Sequence, residues 1–470
     1  MWNGAYLDDR YTCGRLDFWQ VLLEQIDRFI VTSNRPNILL LLPDQHRADW
    51  LGCVSGPVDT PHIDSLSSEG VIFNNAYTPS PLCGPARACL ASGRNYRSCG
   101  VKSNSVNYPL EVPTYYQVLR NNGYFTAGVG KFDLHKDISP SNLFWEVDGS
   151  RLITEWGFSA GIDCEGKIDG VNSYKFHGKA MGPYLSFLQN QGCLDIYLKE
   201  HEFHHTHSNA YTTALSDYAY CDNWIADRGL DLLDSIPNNK PWHMVVNFVG
   251  PHDPLDITES MLSKSKNMVL PQPHNPNNSD KEYAERARRN YAAMIENIDS
   301  LIGGFIEKLK QRGEYNNTVI VYTSDHGEML GDHGKWGKST WRNPSVRIPL
   351  MIRDPYSIQG GLRSDALVSL QDLTATFLDF ADCSELANMD SLSLRSLLDG
   401  RYSQHRDYLI SELADWKLVF DGRHKLVQDK GSEDLLFDLN TDPYEDDNIA
   451  SKRPDIIENL AGYWDNDNLS

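Results

Sequence analysis

The stretch CGPARACLASGR, residues 83–94, places a nucleophilic side chain where a helix is expected to begin. Pro85 suits the first turn of a helix, small helix-compatible residues follow it, and Gly93 suits the position just beyond the helix end. Backbone N–H groups and the helix dipole attract anions at such a start, and Arg87 adds a permanent positive charge one turn on. The stretch therefore predicts that Cys83 is a nucleophile in an anion-binding cradle, with a buried structural cysteine as the simpler alternative.

A cysteine-dependent phosphatase is a sharper alternative for the same stretch. Its phosphate loop would need an arginine at position 89, and position 89 is a cysteine in this chain. The spacing therefore excludes that class of enzyme.

Three apolar runs, at residues 37–42, 243–249 and 317–323, each end abruptly in polar side chains. Such runs are typical of strands buried on both faces of a parallel sheet, and ligands gather where these strands end. The polar side chains at these ends are Asp44, Gln45, His252, Asp325 and His326. Asp44, Gln45 and Asp325 offer oxygens that favour Ca²⁺ or Mg²⁺, while His326 keeps Mn²⁺ or Zn²⁺ open. Each pair alone also suits a cap or a loop contact, so their shared position is what predicts one divalent cation.

The elements that must position these residues follow an α/β order. Residues 279–313 have a Ser279/Asp280 cap, apolar residues at helical spacing and Gly313 as a stop, which together predict a long helix. This helix leads directly into the third apolar run. The alternation predicts a large, mainly parallel sheet sandwiched by helices.

A different pattern begins beyond residue 385. Short alternating runs follow one another, with turns at Asp421-Gly422 and Lys430-Gly431. They predict a small C-terminal α+β subdomain that contains an antiparallel sheet and ends in a helix. We therefore predict an N-terminal arm at residues 1–34, a catalytic domain at 35–385 and the C-terminal subdomain at 386–470. The arm is expected to contain an amphipathic helix.

Composition limits the classes of partner that the chain is expected to bind. The 470 residues carry a formal net charge of -21, which argues against nucleic acid and against anionic lipid as partners. Neither a signal peptide nor an apolar run of about 20 residues is present, so no membrane span is expected and the chain as written would be cytoplasmic. If a leader had been removed, the protein could instead be exported. The nine cysteines follow no pattern, which favours reduced thiols.

Several motifs, taken in order, resemble one family. CGPARACLASGR resembles the Cys-x-Pro-x-Arg signature of the type I sulfatases, which belong to the alkaline phosphatase-like superfamily. TAGVGK (126–131), GPHDP (250–254), TSDHGEMLGDHGKWGK (323–338) and LFDLNTDPYEDDNIA (436–450) are similar to motifs of the same family in its order. The resemblance runs from residue 35 to the C-terminus, and it implies the fold class described above.

The resemblance also implies roles for particular residues. A formylglycine-generating enzyme would convert Cys83 to formylglycine, whose hydrate is both a metal ligand and the nucleophile, with Arg87 beside it. Asp44, Gln45, Asp325 and His326 would bind the cation, which the family implies is Ca²⁺, with Mg²⁺ or Mn²⁺ as alternatives. Lys131 and Lys338 would bind the sulfate oxygens, and His252 would protonate the departing alcohol. The neighbouring Lys335 fits the family's Gly-Lys pair less well than Lys338 does.

The chain departs from the family pattern at two places. Many members have a histidine two residues after the lysine that matches Lys131, whereas this chain has Asp133 there and His135 two residues further on. His135 is therefore a candidate for the base that releases sulfate, and a plain surface histidine is an equal alternative. The Asp44-Gln45 pair resembles the branch that contains choline sulfatases and phosphonate monoester hydrolases.

Three functions follow from these residues. The first is a sulfatase that acts on a sulfated carbohydrate, and the second is a phosphonate monoester or phosphodiester hydrolase, or a small-substrate enzyme like choline sulfatase. The third is an inactive protein that binds sulfated glycans. These residues are also compatible with a homo-oligomer. The segment EHEFHHTH (200–207) offers four histidines for a second metal, but a polar substrate loop or plain surface is favoured because the spacing fits no standard site.

Overall fold

The computed structural model describes residues 35–137, 139–207, 209–277, 280–357 and 360–467. The amphipathic helix that the sequence predicts in the N-terminal arm lies outside the described residues. No helix in these ranges combines the length and apolar character that crossing a membrane requires.

The strands are, in chain order, β1 (Asn37–Pro43), β2 (Val71–Tyr77), β3 (Phe125–Gly130), β4 (Ala160–Asp163), β5 (Ala210–Thr212), β6 (Trp242–Phe248), β7 (Leu255–Ile257), β8 (Thr318–Thr323), β9 (Leu350–Arg353), β10 (Leu362–Ser369), β11 (Leu409–Leu413), β12 (Trp416–Phe420), β13 (His424–Asp429) and β14 (Leu435–Asp438). Among the described residues, the large sheet has eight strands in the order β10-β2-β9-β8-β1-β6-β3-β4. Strand β9 runs antiparallel to both of its neighbours, and the other pairs are parallel. The sheet is therefore mainly parallel, as the sequence predicts.

The α-helices are α1 (Pro61–Glu69), α2 (Cys83–Ser92), α3 (Tyr115–Asn121), α4 (Ile153–Trp156), α5 (Lys167–His177), α6 (Pro183–Asn190), α7 (Leu194–His207), α8 (Cys221–Ser235), α9 (Glu259–Ser265), α10 (Lys281–Gln311), α11 (Asn343–Val346), α12 (Asp372–Phe380), α13 (Arg395–Leu398) and α14 (Pro454–Asp467). The long helix α10 starts where the sequence predicts, because the Asp280 side chain accepts hydrogen bonds from the amides of Glu282 and Tyr283. It ends just before Gly313, whose φ of 69° is left-handed.

Strand β1 shows why the central strands lack polar alternation. All of its side chains are buried, with Leu40 in the hydrophobic core on one face of the sheet and Leu39 in the core on the other. Helices α2, α3 and α12 contribute to the first core, and α8 and α10 contribute to the second. A strand covered on both faces needs apolar side chains at successive positions, since both faces exclude water. The predicted helix–sheet–helix sandwich is confirmed.

The C-terminal strands β11, β12, β13 and β14 form a separate antiparallel sheet in that order. One face packs on the large domain, where Phe420 stacks on Tyr77 at a ring distance of 5.2 Å. The other face is covered by α14, which buries Leu460 and Trp464. The predicted small antiparallel sheet with a terminal helix is therefore also confirmed.

Candidate active site

The site residues lie at one edge of the large sheet. Strands β1, β3, β6 and β8 are mutually parallel neighbours, so their carboxyl ends share this edge. Asp44 and Gln45 follow β1, Lys131 follows β3, and Asp325 and His326 come shortly after β8. The remaining two elements are the loop after β6, which carries His252, and helix α2, which begins at Cys83.

The Cys83 sulfur lies at the centre of this group. Its Sγ is 3.2 Å from Nε2 of His326 and 3.6 Å from Oδ1 of Asp44. The ammonium groups approach from two sides, with Nζ of Lys338 at 3.1 Å and Nζ of Lys131 at 3.9 Å. Because Cys83 is the first residue of α2, backbone N–H groups at the helix start add to this positive environment. A nucleophile formed at this position would face an anion held by two lysines.

Arg87 ties this group together from the second turn of α2. Its Nε donates to Oδ2 of Asp325 at 2.9 Å, and its Nη2 lies 3.4 Å from Oδ2 of Asp44. Its Nη1 donates to the Lys131 carbonyl at 2.6 Å and to Oδ1 of Asn247 at 3.0 Å. The guanidinium thus joins the ends of β1, β3, β6 and β8, which fixes their carboxylates relative to α2.

Four side chains, those of Asp44, Cys83, Asp325 and His326, bring one ligand atom each within 4.8 Å of one another. The His326 Nδ1 lies 3.1 Å from the Gly327 carbonyl, so it carries the proton and leaves the Nε2 lone pair free to face Asp44 and Cys83. Asp325 Oδ1 accepts from the amides of Gln45 and His326 at 3.0 Å each, which orients its carboxylate. Converging lone pairs of this kind suit a divalent cation.

Gln45 reaches the same centre through an unusual backbone conformation, with a φ of 70°. Its Oε1 accepts a hydrogen bond from Nζ of Lys338 at 2.7 Å. Its Nε2 donates to Glu328, a buried carboxylate that also accepts from the Gly337 amide at 2.6 Å. Glu328 thus determines which way the Gln45 amide points, and it turns the oxygen toward the site.

His252 and Lys338 form the exposed side of the site. Nζ of Lys338 lies 2.5 Å from Nε2 of His252, and Nδ1 of His252 lies 2.6 Å from the carbonyl oxygen of Asp253. Because lysine only donates and a carbonyl only accepts, this histidine carries its proton on Nδ1. The His252 side chain is 16% exposed, whereas those of Asp44 and Asp325 are 0% exposed. A substrate must therefore enter past His252.

The charges of the site act together on the Cys83 thiol. Burial and the Asp44 carboxylate each raise the pKa of this thiol, but nearby cations, Lys131 and Lys338 above all, outweigh them and hold it well below its usual value. Burial also raises the pKa of Asp44, and nearby cations, Lys131 above all, hold that pKa well below its usual value. Local cations therefore give this site positive potential, although the protein's net charge is -21.

Lys131 depends on close backbone packing between β3 and β6. Gly130 precedes it with a φ of 101°, and a Cβ atom there would lie 1.9 Å from the carbonyl oxygen of Asn247. The same carbonyl accepts from the Lys131 amide at 3.1 Å. Only glycine fits at this position, and it allows the lysine to turn from the strand end into the site.

Asp133 and His135, which belong to one of the two departures from the family pattern, lie in different surroundings. The Asp133 carboxylate is 3.1 Å from Nζ of Lys131 and 3.3 Å from Nζ of Lys136. Burial raises the pKa of Asp133, but these two ammonium groups lower it to about 2. His135 is buried beside Phe144, and burial lowers its pKa to about 4. Within the described part of the chain its ring nitrogens have no hydrogen-bond partner, so its role as a base stays a prediction.

Three residues of the site escaped the sequence analysis. Glu328 orients Gln45, Asn247 binds Arg87, and Asn104 accepts from the Gly84 amide at 2.8 Å beside Cys83. Asn247 had a detectable signal, because it is a polar residue inside the apolar run of β6. Glu328 and Asn104 had none, since their positions depend on loop conformations.

The histidine-rich segment 200–207 forms the end of helix α7, so it is not a loop, which was one of the two alternatives that the sequence favoured. In this part of the helix, His201 is buried and its ring packs on Tyr197, one turn earlier, at 4.3 Å. Among the residues that the structure describes, no group of three candidate metal ligands includes a histidine of this segment. The loop alternative was therefore wrong, whereas the exposed side chains of Glu202 and Phe203 agree with the alternative of plain surface. Lys335 is exposed, and it is Lys338 that reaches the site.

Comparison with known proteins identifies the family. The sulfatase family profile matches residues 36–383, and a profile described as N-sulphoglucosamine sulphohydrolase, C-terminal, matches residues 331–461. An arylsulfatase of Clostridium perfringens is 28% identical, covering 89% of this chain and 90% of its own length. An N-acetylglucosamine-6-O-sulfatase of Bacteroides thetaiotaomicron is 25% identical, covering 93% of this chain and 88% of its own length.

Among solved structures, a phosphonate monoester hydrolase of Agrobacterium radiobacter has a similar fold. It superposes with a TM-score of 0.73 at 23% identity, covering 92% of this chain and 94% of the other. This likeness concerns the fold, while the family match covers most of the chain and includes Cys83, Arg87 and the strand-end residues. The chain therefore belongs to the sulfatase family of the alkaline phosphatase-like superfamily, and it is a sulfuric ester hydrolase.

Proposed function

We propose that this sulfatase hydrolyses a sulfate ester on a carbohydrate, through a formylglycine hydrate derived from Cys83 and a bound divalent cation. The observation that carries the proposal is the position of the Cys83 sulfur at the start of α2, 3.1 Å from Nζ of Lys338 and 3.2 Å from Nε2 of His326. A maturation enzyme that oxidises this thiol to an aldehyde would place the hydroxyl groups of its hydrate at the same point. One hydroxyl would attack sulfur, and the other would later lose its proton and expel sulfate.

The residues at this centre fit a hard cation. Asp44, Asp325 and Gln45 offer oxygens, and His326 offers a nitrogen whose tautomer is fixed by the Gly327 carbonyl. These residues would hold the ion, and the oxygen-rich set favours Ca²⁺ over softer metals. A cation bound there would supply Lewis-acid stabilisation of charge on the sulfate oxygens.

The positions of Lys131, Lys338 and His252 suit two further roles, sulfate binding and protonation of the leaving group. Lys131 and Lys338 lie on two sides of the Cys83 sulfur, where they would bind the sulfate oxygens as those gain charge. His252 lies on the exposed side, where the alcohol must leave; in its imidazolium form it would donate the Nε2 proton to the departing oxygen while Nδ1 keeps its hydrogen bond to the Asp253 carbonyl. The base for sulfate release stays open between His135 and a water molecule, since Asp133 is already paired with Lys131.

A carbohydrate is the preferred substrate because one relative that matches nearly the whole chain acts, by its name, on the 6-O-sulfate of N-acetylglucosamine. The arylsulfatase relative supports sulfate ester cleavage without indicating the alcohol. Sulfated sugars also need the protonation that His252 would supply, because a sugar alkoxide is a poor leaving group.

The proposal is tested by measuring kcat/KM for sulfate release from N-acetylglucosamine 6-O-sulfate and from 4-nitrophenyl sulfate. The protein is made in cells that mature a control sulfatase. We expect the sugar sulfate to be cleaved, with the Lys338→Ala variant slower by at least about 10²-fold on both esters. Cleavage of the aryl ester alone would contradict the carbohydrate assignment. Absence of cleavage on both by a matured protein would contradict the reaction.

Phosphonate ester hydrolysis is the second candidate, and the Gln45 oxygen at the cation-binding centre favours it, because the Asp-Gln pair resembles that branch. Sulfate and phosphonate esters both place charged oxygens around a tetrahedral centre, so one cation and two lysines suit either. The comparison uses 4-nitrophenyl sulfate and a 4-nitrophenyl phosphonate, which share a leaving group. A higher kcat/KM for the phosphonate would replace the sulfatase proposal with this one.

A further inference from the structure

A second cluster of candidate metal ligands lies away from Cys83, where three separate parts of the chain meet. His274 lies in the segment before α10, His333 lies in the turn Asp332–Gly334 after β8, and Asp446 lies in the tail after β14. One ligand atom from each residue falls within 4.8 Å of the other two. The cluster shares no residue with the active site described above.

We propose that His274, His333 and Asp446 form a metal site for Zn²⁺. Two imidazoles and one carboxylate are a ligand set that zinc commonly uses, with water in the fourth position. Asp446 is 41% exposed and His274 is 30% exposed, which leaves room for that water. Calcium and magnesium prefer oxygen ligands, so the two imidazoles select against the cation proposed at the active site.

The geometry supports His333 as a ligand through Nδ1. Its Nε2 lies 3.0 Å from the Tyr444 carbonyl, so the proton is placed on Nε2 and the Nδ1 lone pair faces Asp446, 3.9 Å away. Nη1 of Arg342 also lies 3.0 Å from this Nε2, but its two hydrogens have the carbonyls of Glu445 at 3.0 Å and Tyr444 at 3.5 Å as acceptors. A carbonyl partner of this kind is typical of metal-bound histidines.

His274 and Asp446 are already oriented toward each other. Nε2 of His274 lies 2.7 Å from Oδ2 of Asp446, and its ring stacks on Tyr444 at 4.2 Å. Asn275 donates to Oδ1 of Asp446 at 2.7 Å, which fixes the carboxylate. Ligand atoms about 2.0–2.2 Å from a tetrahedral ion lie a little over 3 Å apart, so small rotations would bring these atoms to a shared ion.

Backbone hydrogen bonds hold two of the three segments together before any metal binds. The His333 amide donates to the His274 carbonyl at 2.7 Å, and the His274 amide donates to Oδ1 of Asp332 at 2.9 Å. The turn that carries His333 leads within a few residues to Lys338. A bound ion would therefore tie the C-terminal tail to the loop that carries an active-site lysine.

The test is a calorimetric titration of the full chain with Zn²⁺ in excess Ca²⁺. All proteins carry Cys83→Ala, which removes the thiol most able to take zinc at the active site. We expect the parent to bind one more equivalent of zinc than the His274→Gln/His333→Gln variant, and to gain several degrees in Tm on zinc addition that the variant lacks. His424→Gln is the matched control, because His424 contacts Asp421 and Asp438 through different ring nitrogens and cannot join them at one ion. This control should bind zinc as the parent does.

Equal zinc binding by the parent and the double variant would overturn the proposal, as would an equal loss in the His424→Gln control. If the double variant fails to fold, zinc-soaked crystals of the parent decide the question. An anomalous peak between the three side chains is expected, and a zinc-soaked crystal without that peak would overturn the site.

Discussion

Asp44, at the end of β1, and Asp372, at the start of α12, are both fully buried carboxylates that contact an arginine. Burial raises the pKa of each, and neighbouring cations lower it below the usual range, chiefly Lys131 for Asp44 and Arg406 for Asp372. The direction of the pKa shift is therefore the same at the two places. The difference lies in how many acceptor positions are used.

Asp372 is saturated with donors. It accepts from the amides of Ser369 and Leu392 at 2.9 Å each, from Arg406 through both of its oxygens, and from His405 at 3.2 Å. Asp44 Oδ1, by contrast, faces Cys83 and His326 at 3.6 Å each. A saturated carboxylate stabilises the fold, whereas an unsaturated one beside other lone pairs can accept a cation. The structural role of Asp372 and the metal-binding role of Asp44 therefore differ in how far hydrogen-bond donors fill the carboxylate, and not in the direction of the pKa shift.

Replacing Cys83 should give the largest effect. The Cys83→Ala variant removes the nucleophile, so turnover of any sulfate ester should fall by at least about 10⁴-fold. The free energy of unfolding should change by only about 1 kcal/mol, since a small side chain is lost. The measurement pairs sulfate release with urea unfolding.

Cys89→Ala is the matched control for that variant, because Cys89 is a buried thiol on the same helix α2. It should keep full turnover with a similar change in stability. A Cys83→Ala protein that retains turnover, or a Cys89→Ala protein that loses it, would break the assignment of α2.

Removal of the cation should give the next largest effect. Chelation should lower kcat/KM by about 10³-fold, since a bound ion contributes several kcal/mol to stabilising charge in the transition state. Added Ca²⁺ should restore the rate in the wild type but not in Asp325→Asn, which lacks a ligand. An unchanged rate after complete removal of divalent ions would contradict the metal site at Asp44.

Replacing Asp372, whose oxygens are filled by hydrogen-bond donors, should lower stability and leave the catalytic rate unchanged. Asp372→Asn removes the charge facing Arg406 and should lower the free energy of unfolding by about 3 kcal/mol, because a largely buried cation loses its partner. Urea unfolding measures this loss, and kcat/KM per folded molecule should change by less than about threefold.

Asp379→Asn on the same helix provides the control, since Asp379 pairs with Arg395 at the surface. Exposed pairs contribute about 0–1 kcal/mol, so this variant should be near neutral. A large rate loss in Asp372→Asn without unfolding would show that Asp372 also contributes to the reaction and not to stability alone.

Glu165 differs from Asp44 and Asp372, because it is a buried carboxylate whose pKa is not lowered by a cation. Burial raises its pKa from 4.5 to about 7, although the amides of Leu185 and Tyr184 donate to it. Between these pH values the folded state keeps a proton that the unfolded state has released, so stability falls as pH rises from 4.5 toward 7. By this linkage, Glu165 lowers the free energy of unfolding by about 3 kcal/mol once the pH has risen from 4.5 to 7.

Urea unfolding of wild type and Glu165→Gln at several pH values between these limits isolates this effect. The variant should lose the corresponding part of the pH slope, while Asp372 contributes in the opposite direction at lower pH. An identical slope in both proteins would mean that Glu165 is ionised in the folded state.

The strand-end residues were predictable because a parallel sheet brings its carboxyl ends together whatever the loops do. Asp44, Asp325 and His326 follow apolar runs, and that pattern alone placed them at one edge. Cys83 and Arg87 were predictable for a similar reason, since Pro85 and Gly93 mark the ends of a helix that the structure confirms at Cys83–Ser92.

Other features depended on information that local sequence does not carry. The amide of Gln45 points into the site because Glu328, far along the chain, accepts its N–H group. The antiparallel strand β9 within the large sheet was not predicted, since a short apolar run has the same appearance in either direction. The end of α7 was not predicted, because its histidine spacing was compared only with metal-site patterns, whereas the packing of His201 on Tyr197 favours a helix.

The most direct test of the account is the mass of the proteolytic peptide that carries residue 83. The protein should come from cells that mature a control sulfatase measured in the same preparation. The account predicts formylglycine at position 83, with the other cysteine-containing peptides unmodified. An intact cysteine at position 83 beside a fully converted control would contradict the proposed nucleophile, and with it the mechanism built around the cations at the start of α2.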